Sequence, residues 1–316
     1  MRRTYSYSKR SMLDTCLRKY FFEYYASDKR CPVDAERREL IRELKQMSSC
    51  AMVAGNIVHR MLALRFGKGA SFSREWMIET ALRDFDRAVE FARNPSDQSH
   101  RLMEKYPPVE LLEFSYEDFD GDAEAARWRL KVSSAMETYF DAKPVQELRI
   151  SLGGTTARAE VPLRGLKLDG WSVGGKIDVL AIGDDKVHVI DWKLGKVERG
   201  SDSLQLFTYG WFASKEANVP TDSVTMRRVF LGDALVEEPS VVTAAQARRG
   251  KARLMQDIEL MEDLHEHGRQ GDEEAFTPCD RNGVCRRCPY RAICHQTPLS
   301  ARSNATSVSL RVLQVV

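Results

Sequence analysis

Two strongly apolar runs joined by a turn, KIDVLAIGDDKVHVIDWKLGK at residues 176–196, constrain the fold of this chain more than any other feature. The tetrapeptide GDDK at 183–186 is typical of a tight turn, so the two runs predict a β-hairpin. Asp178, Asp191 and Lys193 lie within these apolar strands. Because an unpaired charge in a buried strand costs free energy, these side chains need each other or a metal ion.

The register of the hairpin decides which of these side chains meet. If residues 184–185 form the loop, the numbers of paired residues sum to 369, which places Asp178 opposite Asp191. Lys193 is two residues from Asp191 and therefore lies on the same face. Two opposed carboxylates suit Mg²⁺, which prefers oxygen ligands, and a neighbouring ammonium group can orient water and stabilise charge on a phosphate. A buried Asp–Lys ion pair without metal is the alternative interpretation.

A helix is predicted next in the chain, at SDSLQLFTYGWFASKEAN, with Ser201 or Asp202 as its N-cap. Gln205 and Tyr209 are four residues apart and share one helical face. We expect this helix to pack beside the hairpin and to bring the polar pair to the same pocket. A polar helix face without a functional role is the alternative.

The hairpin and this helix together resemble the RecB-type branch of the PD-(D/E)XK nucleases. The resemblance rests on the motifs GGKIDVLAIGDDKVHVIDWKLG and QLFTYGW, which follow each other in the order typical of that branch. It implies that Asp178, Asp191 and the carbonyl of Trp192 bind Mg²⁺ or Mn²⁺. By the same resemblance, Lys193 is the catalytic lysine.

The resemblance also implies roles outside the hairpin. Gln205 and Tyr209 are expected to act in catalysis, by contacting DNA or by ordering the site. The segment AGNIVHRMLA resembles an upstream helix motif of the same branch, with Gly55 and His59, and implies that His59 completes the metal site. Glu160 is a candidate for an upstream acidic position of the family.

Four cysteines near the C-terminal end follow the pattern C-x5-C-x2-C-x5-C in CDRNGVCRRCPYRAIC, residues 279–294. A C-x2-C unit lets two thiolates hold one metal, so a local four-cysteine Zn²⁺ site is one interpretation. The first residues of the chain lack the apolar region of a secretory signal. Seven cysteines in such a chain favour metal binding over disulfides.

Three of these cysteines, together with one in YSYSKRSMLDTCLRKYFFEYY, resemble the cysteine set of the iron–sulfur nucleases. CRISPR-adaptation nucleases, the AddB subunit and eukaryotic exonuclease 5 have this layout. The resemblance implies a 4Fe–4S cluster held by Cys16, Cys285, Cys288 and Cys294. Cys279 is then surplus, and the choice between Cys279 and Cys16 as the fourth ligand stays open. We expect such a cluster to staple the first helix to the C-terminal region.

Arginines are frequent among these cysteines. They are Arg281, Arg286, Arg287 and Arg291. A phosphate-binding edge and a solvated basic loop are equally compatible with them. With 48 basic and 46 acidic residues and a net charge of +2, the chain has no strongly basic surface, so any nucleic-acid site has to be a local patch.

The order of the predicted elements indicates an α/β fold, a PD-(D/E)XK restriction-endonuclease-like mixed sheet flanked by helices. Residues 1–143 are expected to be a helical region, and residues 144–268 the nuclease core and the helix that follows it. The cysteine cluster or iron–sulfur staple is expected at 269–296, and a flexible tail at 297–316. Strands are predicted at QELRISL, ARAEVPLRG, WSVGGKIDVLAI, KVHVIDWKL and VTMRRVFL.

These features predict a divalent-metal-dependent deoxyribonuclease, and an exonuclease is favoured over an endonuclease. We expect it to act on single-stranded DNA ends in repair, recombination or defence against foreign DNA, with bases stacking on aromatics such as Trp192 or Trp211. The first alternative is a nuclease-fold DNA-binding or scaffolding subunit of a larger helicase–nuclease or defence complex. The second is a zinc-stapled nucleic-acid-binding module without catalysis.

One motif resembles a P-loop without being one. GWSVGGK has the spacing of a P-loop but is followed by Ile177, where a P-loop needs Ser or Thr. We therefore expect no ATPase site, and any helicase activity has to come from a partner protein. The chain has no run of 18 apolar residues, and we expect no membrane span. A cytoplasmic location is expected, associated with the nucleoid if the source is bacterial.

Overall fold

A computed structural model describes residues 3–66, 72–94, 109–184, 186–195, 203–295, 297 and 299. The chain divides into two compact units. The first, which we call the sheet unit, comprises Met1–Tyr7, Ala54–Arg83 and Arg129–Ile258. The second, the cysteine unit, comprises Ser8–Val53, Asp84–Trp128 and Glu259–Val316.

The secondary-structure elements are named in chain order. The helices are α1 Tyr7–Thr15, α2 Leu17–Phe21, α3 Ala35–Gln46, α4 Cys50–Leu64, α5 Arg74–Arg93, α6 Leu112–Ser115, α7 Gly121–Asp141, α8 Lys143–Ser151, α9 Ser203–Ala217, α10 Ala244–Gln270, α11 Asn282–Arg286 and α12 Arg291–Cys294. The strands are β1 Thr4–Ser6, β2 Thr156–Pro162, β3 Lys167–Leu168, β4 Trp171–Gly174, β5 Lys176–Ile182, β6 Val187–Lys193, β7 Val224–Phe230 and β8 Leu235–Val236.

The sheet unit is built on a five-stranded mixed sheet with the order β2-β5-β6-β7-β8. Its only parallel pair is β6 with β7, and helix α9 makes the crossover between them and packs on both strands. A smaller sheet has the order β1-β4-β3. Strand β6 is buried along nearly its whole length, as the central strand of such a sheet has to be. The predicted mixed sheet flanked by helices is therefore confirmed.

The β5–β6 hairpin has the register that the sequence predicts. Val179 pairs with Ile190 and Ile182 with Val187, so the residue numbers sum to 369. Asp185, one of the two predicted loop residues, lies outside the described part of the chain. The predicted N-cap residues of α9, at 201–202, also lie outside it, as do most of the residues expected to form a tail.

Gly175 separates β4 from β5, so the predicted strand WSVGGKIDVLAI is two strands in two different sheets. A Cβ atom at this position would lie 2.9 Å from Cδ1 of Leu163 and 3.7 Å from the ring of Tyr209. The absence of a side chain therefore lets the strand pass close to both residues. Lys176 begins a strand and not a helix, which excludes a P-loop at this segment.

One predicted strand is wrong. The segment QELRISL belongs to helix α8, not to the sheet. Alternation of apolar and polar residues suggested a strand, but the buried residues are Val145, Leu148 and Leu152, which follow helical spacing. Ile150, which a strand would bury, is exposed over 78% of its surface. Pro144 in the first turn is also typical of a helix start.

In the cysteine unit, the apolar residues of KRSMLDTCLRKYFFEYYA have helical spacing, and the segment forms two helices. Cys16 interrupts it with an extended backbone, φ −166° and ψ 116°, and its sulfur accepts a hydrogen bond from the amide of Lys19 at 3.5 Å. A π-helical turn follows at Phe22–Ala26. Helix α1 therefore ends before Cys16, and α2 begins after it.

Aromatic side chains form much of the core of the cysteine unit. The ring of Phe21 lies 5.0 Å from that of Phe276, and the ring of Phe22 lies 5.3 Å from that of Tyr290. Because burial of such rings contributes strongly to stability, these contacts hold the first helices against the segment that follows α10. Among the described helices of the whole chain, none is long and apolar enough to cross a membrane.

Candidate metal and catalytic site

The carboxylate of Asp178 lies at the centre of the candidate site. Asp178 is in β5 and is buried, and its Oδ2 accepts a hydrogen bond from the backbone amide of Trp192 at 2.8 Å. Its Oδ1 lies 3.2 Å from Nδ1 of His59 in α4. The hairpin and the helix motif therefore meet at this residue, as the sequence predicted for Asp178 and His59.

Glu160 of β2 joins the same cluster. The β2–β5 ladder pairs Ala159 with Val179 and Val161 with Ile177, so Glu160 stands opposite Asp178. The ladder does not pair these two residues, and Glu160 has the left-handed value φ +55°. Such a conformation is rare for a residue with a long side chain and is typical of sites where function requires local strain.

Three side chains present atoms that can hold one cation. One ligand atom each of His59, Glu160 and Asp178 lies within 4.8 Å of the others. The two carboxylates suit Mg²⁺ or Mn²⁺, and Mg²⁺ often uses only one or two carboxylates plus water and a substrate phosphate. The imidazole nitrogen is a ligand more typical of transition metals. The donor set therefore fits a divalent metal. Among the residues of this cluster, Glu160 was the least strongly indicated by sequence motifs.

Asp191 and Lys193 form an ion pair beside this cluster. Oδ2 of Asp191 lies 2.8 Å from the ammonium nitrogen of Lys193. Asp191 is almost fully buried, whereas the side chain of Lys193 keeps 29% of its exposure. The predicted Asp191–Lys193 pair is therefore brought to the same face as Asp178. Asp191 is not one of the three residues whose ligand atoms converge, so its role as a metal ligand stays a prediction.

Helix α9 restrains Lys193 through a hydrogen bond to Gln205. The ammonium group of Lys193 donates to Oε1 of Gln205 at 3.2 Å, and Nε2 of Gln205 donates to the hydroxyl of Tyr209 at 2.9 Å. The two residues expected to share one helical face thus form a chain of hydrogen bonds that ends at Lys193. This arrangement restrains the lysine and supports the ordering role over a direct contact with DNA.

The environment of the site shifts the pKa values of two of its side chains, Asp191 and His59. Burial raises the pKa of Asp191, the Lys193 ammonium opposes that shift, and the charge of Asp178 adds to it. Burial alone lowers the pKa of His59, but its hydrogen bond to Asp178 and the charges of Asp178 and Asp191 raise it to a larger extent. The raised pKa of His59 reflects the negative charge around it, which a cation would relieve, whereas that of Asp191 results mainly from burial.

The side chain of Trp192 has a structural role, in addition to the metal contact predicted for its carbonyl. Its side chain is buried and packs edge-on against Tyr139 at 5.6 Å, on the face of the sheet away from Asp191. Trp211 is buried too, with its ring stacked 6.0 Å from that of Phe207. The expectation that either ring stacks on DNA bases is therefore wrong. The predicted metal contact of the Trp192 carbonyl stays a prediction.

A mixed sheet that gathers three carboxylates, an imidazole and a restrained lysine at one face defines a metal-dependent nuclease. A family model described as the PD-(D/E)XK nuclease superfamily matches residues 4–295. The chain belongs to this superfamily. A search of curated proteins found no match to the chain.

The cysteine unit contains a second candidate site. One pocket is lined by five cysteines: Cys16, Cys279, Cys285, Cys288 and Cys294. All seven cysteines of the chain are free thiols, and the other two, Cys31 and Cys50, are buried apart from this pocket. The thiol of Cys16 thus lies with the four C-terminal cysteines, and its role as a metal ligand, which the resemblance implies, stays a prediction.

Cys279 lies within this group as well. Its sulfur is 3.5 Å from the sulfur of Cys285, and its amide donates to the sulfur of Cys16 at 3.4 Å. Burial tends to raise the pKa of Cys279, but the Arg281 backbone amide and the neighbouring thiols lower it overall. Burial instead raises the pKa values of Cys285 and Cys288 to about 11. Thiols packed at this density are suited to a soft metal centre, which binds thiolates.

Most of the nearby arginines are engaged in the protein itself. The buried Arg291 donates through Nη1 to Asp118 at 2.8 Å, and its guanidinium lies 3.9 Å from the ring of Tyr116. Arg286 donates to the carbonyl of Asp118 at 2.7 Å, and Arg281 donates to the carbonyl of Thr15 at 2.5 Å. These contacts stabilise the cysteine segment. Arg291 is buried, whereas the side chain of Arg286 keeps 56% of its exposure, so a phosphate-binding edge stays a prediction.

Proposed function

We propose that this protein is a DNA exonuclease that hydrolyses phosphodiester bonds at single-stranded ends with Mg²⁺ or Mn²⁺. The observation that carries the proposal is the convergence of His59, Glu160 and Asp178 beside the Asp191–Lys193 pair. The preference for single-stranded ends is supported by the RecB-type motifs and the iron–sulfur cysteine pattern. The biological process that we propose is DNA repair, recombination or defence, in the cytoplasm.

The metal, when bound, would supply Lewis acidity and an acidified water for attack on phosphorus. His59, Glu160 and Asp178 would hold it, with Asp191 and the Trp192 carbonyl as further candidate ligands. Lys193 is restrained by Gln205 and can place its ammonium against the scissile phosphate, where it stabilises the developing charge. The hydroxyl of Tyr209 keeps Gln205 oriented, so the pair acts by positioning the lysine.

We also propose that the five-thiol pocket holds a 4Fe–4S cluster with Cys16, Cys285, Cys288 and Cys294 as ligands. The cluster would tie α1 and α2 to the segment of α11 and α12 in the cysteine unit. A redox role is not required, because the cross-link itself constrains two segments that are distant in sequence.

A single Zn²⁺ ion is the alternative occupant, and one distance favours it. Zn–S bonds of about 2.3 Å in a tetrahedral site place neighbouring sulfurs about 3.8 Å apart. The sulfurs of Cys279 and Cys285 are separated by 3.5 Å, which is close to that value. If zinc is bound, Cys279 becomes a ligand and is no longer surplus.

A DNA-binding or scaffolding subunit of a larger complex is the second candidate function. It would have the same fold, with the site active only together with a partner such as a helicase. Both candidates contain the ion pair of Lys193 with Asp191, so cleavage by the purified protein alone distinguishes them.

The deciding experiment incubates the purified protein with end-labelled single-stranded and double-stranded DNA and with closed circular duplex. Each substrate is tested with Mg²⁺, with Mn²⁺ and with EDTA. Metal-dependent release of short products from free single-stranded ends is the expected result. Equal cleavage of the closed circle would contradict the exonuclease, and a lack of cleavage of every substrate would favour the scaffolding subunit.

A further inference from the structure

Lys176 is a second cationic residue at the rim of the metal site. Its ammonium group forms an ion pair with the carboxylate of Glu160, one of the three residues whose ligand atoms converge. Lys176 begins β5 and is two residues from Asp178, so the two side chains lie on the same face. The side chain of Lys176 keeps 54% of its exposure, compared with 32% for Glu160. It therefore lies between the ligands and solvent.

We propose that Lys176 binds a phosphate of the DNA substrate only after a divalent cation has taken Glu160 from it. This inference rests on the proposed nuclease function and adds a substrate-binding residue that is controlled by the metal. In the metal-free protein, Lys176 neutralises Glu160. In the metal-bound protein, the carboxylate turns to the cation, and the ammonium group is released at the exposed rim of the site.

The charges of the site support this exchange. Glu160, Asp178 and Asp191 carry three negative charges, and Lys176 and Lys193 carry two positive ones, so the cluster has one excess negative charge when His59 is neutral. A divalent cation changes that excess to one positive charge. A phosphate is repelled in the first state and attracted in the second, with Lys176 the more exposed of the two ammonium groups.

The backbone of Glu160 departs from the regular strand geometry of its neighbours. Its left-handed φ of +55° interrupts the β2–β5 ladder, so the ladder does not hold Glu160 in the orientation that its neighbours have. Lys193, by contrast, is restrained by Asp191 and by Gln205. Of the two lysines, Lys176 is the one whose partner, Glu160, belongs to the three residues with converging ligand atoms.

The first experiment measures Mn²⁺ binding to the full chain by calorimetry, without DNA. Because Lys176 competes with the cation for Glu160, Lys176→Met should tighten Mn²⁺ binding by about 1.4-fold to about fivefold, the range of an exposed ion pair. Lys167→Met, an exposed lysine on the other sheet, is the control and should change nothing. In a Glu160→Gln background, the gain from Lys176→Met should disappear.

The second experiment measures binding of labelled single-stranded DNA by fluorescence anisotropy, in a Lys193→Ala background that is expected not to cleave. With Mn²⁺, Lys176→Met should weaken DNA binding and reduce the slope of log affinity against log salt by about 0.7, the value for one phosphate contact on a single strand. With EDTA, it should have no such effect. Lys176→Arg, which keeps the charge, should retain the Mn²⁺-dependent binding.

Tighter Mn²⁺ binding together with weaker DNA binding in Lys176→Met identifies the exchange. If Lys176 were purely structural, the variant would bind both Mn²⁺ and DNA more weakly or would bind both as the wild type does, and either result overturns the inference. Equal loss of DNA binding with Mn²⁺ and with EDTA also overturns it, because the residue would then be a permanent phosphate contact. Failure of the nuclease proposal is distinguishable, since it appears as a wild-type protein that binds Mn²⁺ but cleaves no DNA.

Discussion

Nδ1 of His59 lies 3.2 Å from Oδ1 of Asp178, so a helix and a strand separated by 119 residues share one contact at the centre of the site. A proton on His59 favours this contact, whereas a metal ion needs the neutral imidazole. Protonation and metal binding therefore compete at the same pair of side chains.

We expect affinity for Mn²⁺ to increase as the pH rises through the pKa of His59. That pKa is raised above its ordinary value of about 6.5, because the contact with Asp178 outweighs the lowering effect of burial. Calorimetric titrations between about pH 6 and about pH 9 measure the dependence. His59→Gln should bind Mn²⁺ more weakly and flatten the pH profile, and an equally steep profile in this variant would contradict the assignment.

The same titration affects stability with the opposite sign when no metal is present. A raised pKa in the folded state contributes stability that is complete below the pKa of the unfolded chain and is lost as the pH rises through the folded-state pKa. Metal-free protein should therefore lose part of its stability between about pH 6 and about pH 9, and Mn²⁺ should restore it most at the upper end. Urea unfolding with and without EDTA tests this, with His59→Gln as the control.

Asp191→Ala and Lys193→Ala should each reduce cleavage by at least about a hundredfold, the usual effect of removing a group that acts on the transition state. Asp191→Ala should also weaken Mn²⁺ binding, whereas Lys193→Ala should not. Lys186→Ala, at the exposed turn of the same hairpin, is the matched control. Circular dichroism verifies that each variant is folded, and cleavage at the wild-type rate by either site variant would refute these roles.

The cysteine pocket gives a prediction that distinguishes its two occupants. A 4Fe–4S cluster would give brown protein with broad absorbance near ~400 nm after purification without oxygen, whereas zinc would give colourless protein. For the cluster, Cys16→Ala should lose iron and Cys279→Ala should keep it. For a local zinc site, Cys279→Ala should lose the metal and Cys16→Ala should keep it. Elemental analysis of the two variants decides, and iron-free wild type after anaerobic purification excludes the cluster.

Gly250→Ala should destabilise the sheet unit although alanine favours helices. A Cβ atom at this position in α10 would lie 2.5 Å from the buried ring of Phe207 in α9, and overpacking of this kind costs about 1–3 kcal/mol. Gly55→Ala in α4 is the matched control, since no heavy atom lies within 4 Å of its added Cβ. It should be neutral or stabilising by up to about 1 kcal/mol. Urea unfolding compares the two variants, and equal stability would contradict the packing of α9 on α10.

The sequence by itself determined the parts of the site that depend on local periodicity. A turn signal between two apolar runs was enough to predict the hairpin and its register, because side chains in a strand alternate between two faces. The spacing of Gln205 and Tyr209 predicted one helical face for the same reason. The motif resemblance supplied the family and the place of His59, which no local pattern could indicate.

Only the tertiary structure decided which distant residues meet. Glu160 enters the site because β2 pairs with β5 in a register that brings it opposite Asp178, and no short-range pattern encodes the pairing of strands that are not joined by a tight turn. The contact between the Cys279 amide and the Cys16 sulfur joins residues 263 positions apart, and the extended backbone at Cys16 is not revealed by a helical apolar pattern. Helix α8 could not be predicted from its sequence for a similar reason. The apolar residues of this short segment fit both strand spacing and helix spacing, and only their packing in the folded protein distinguishes the two.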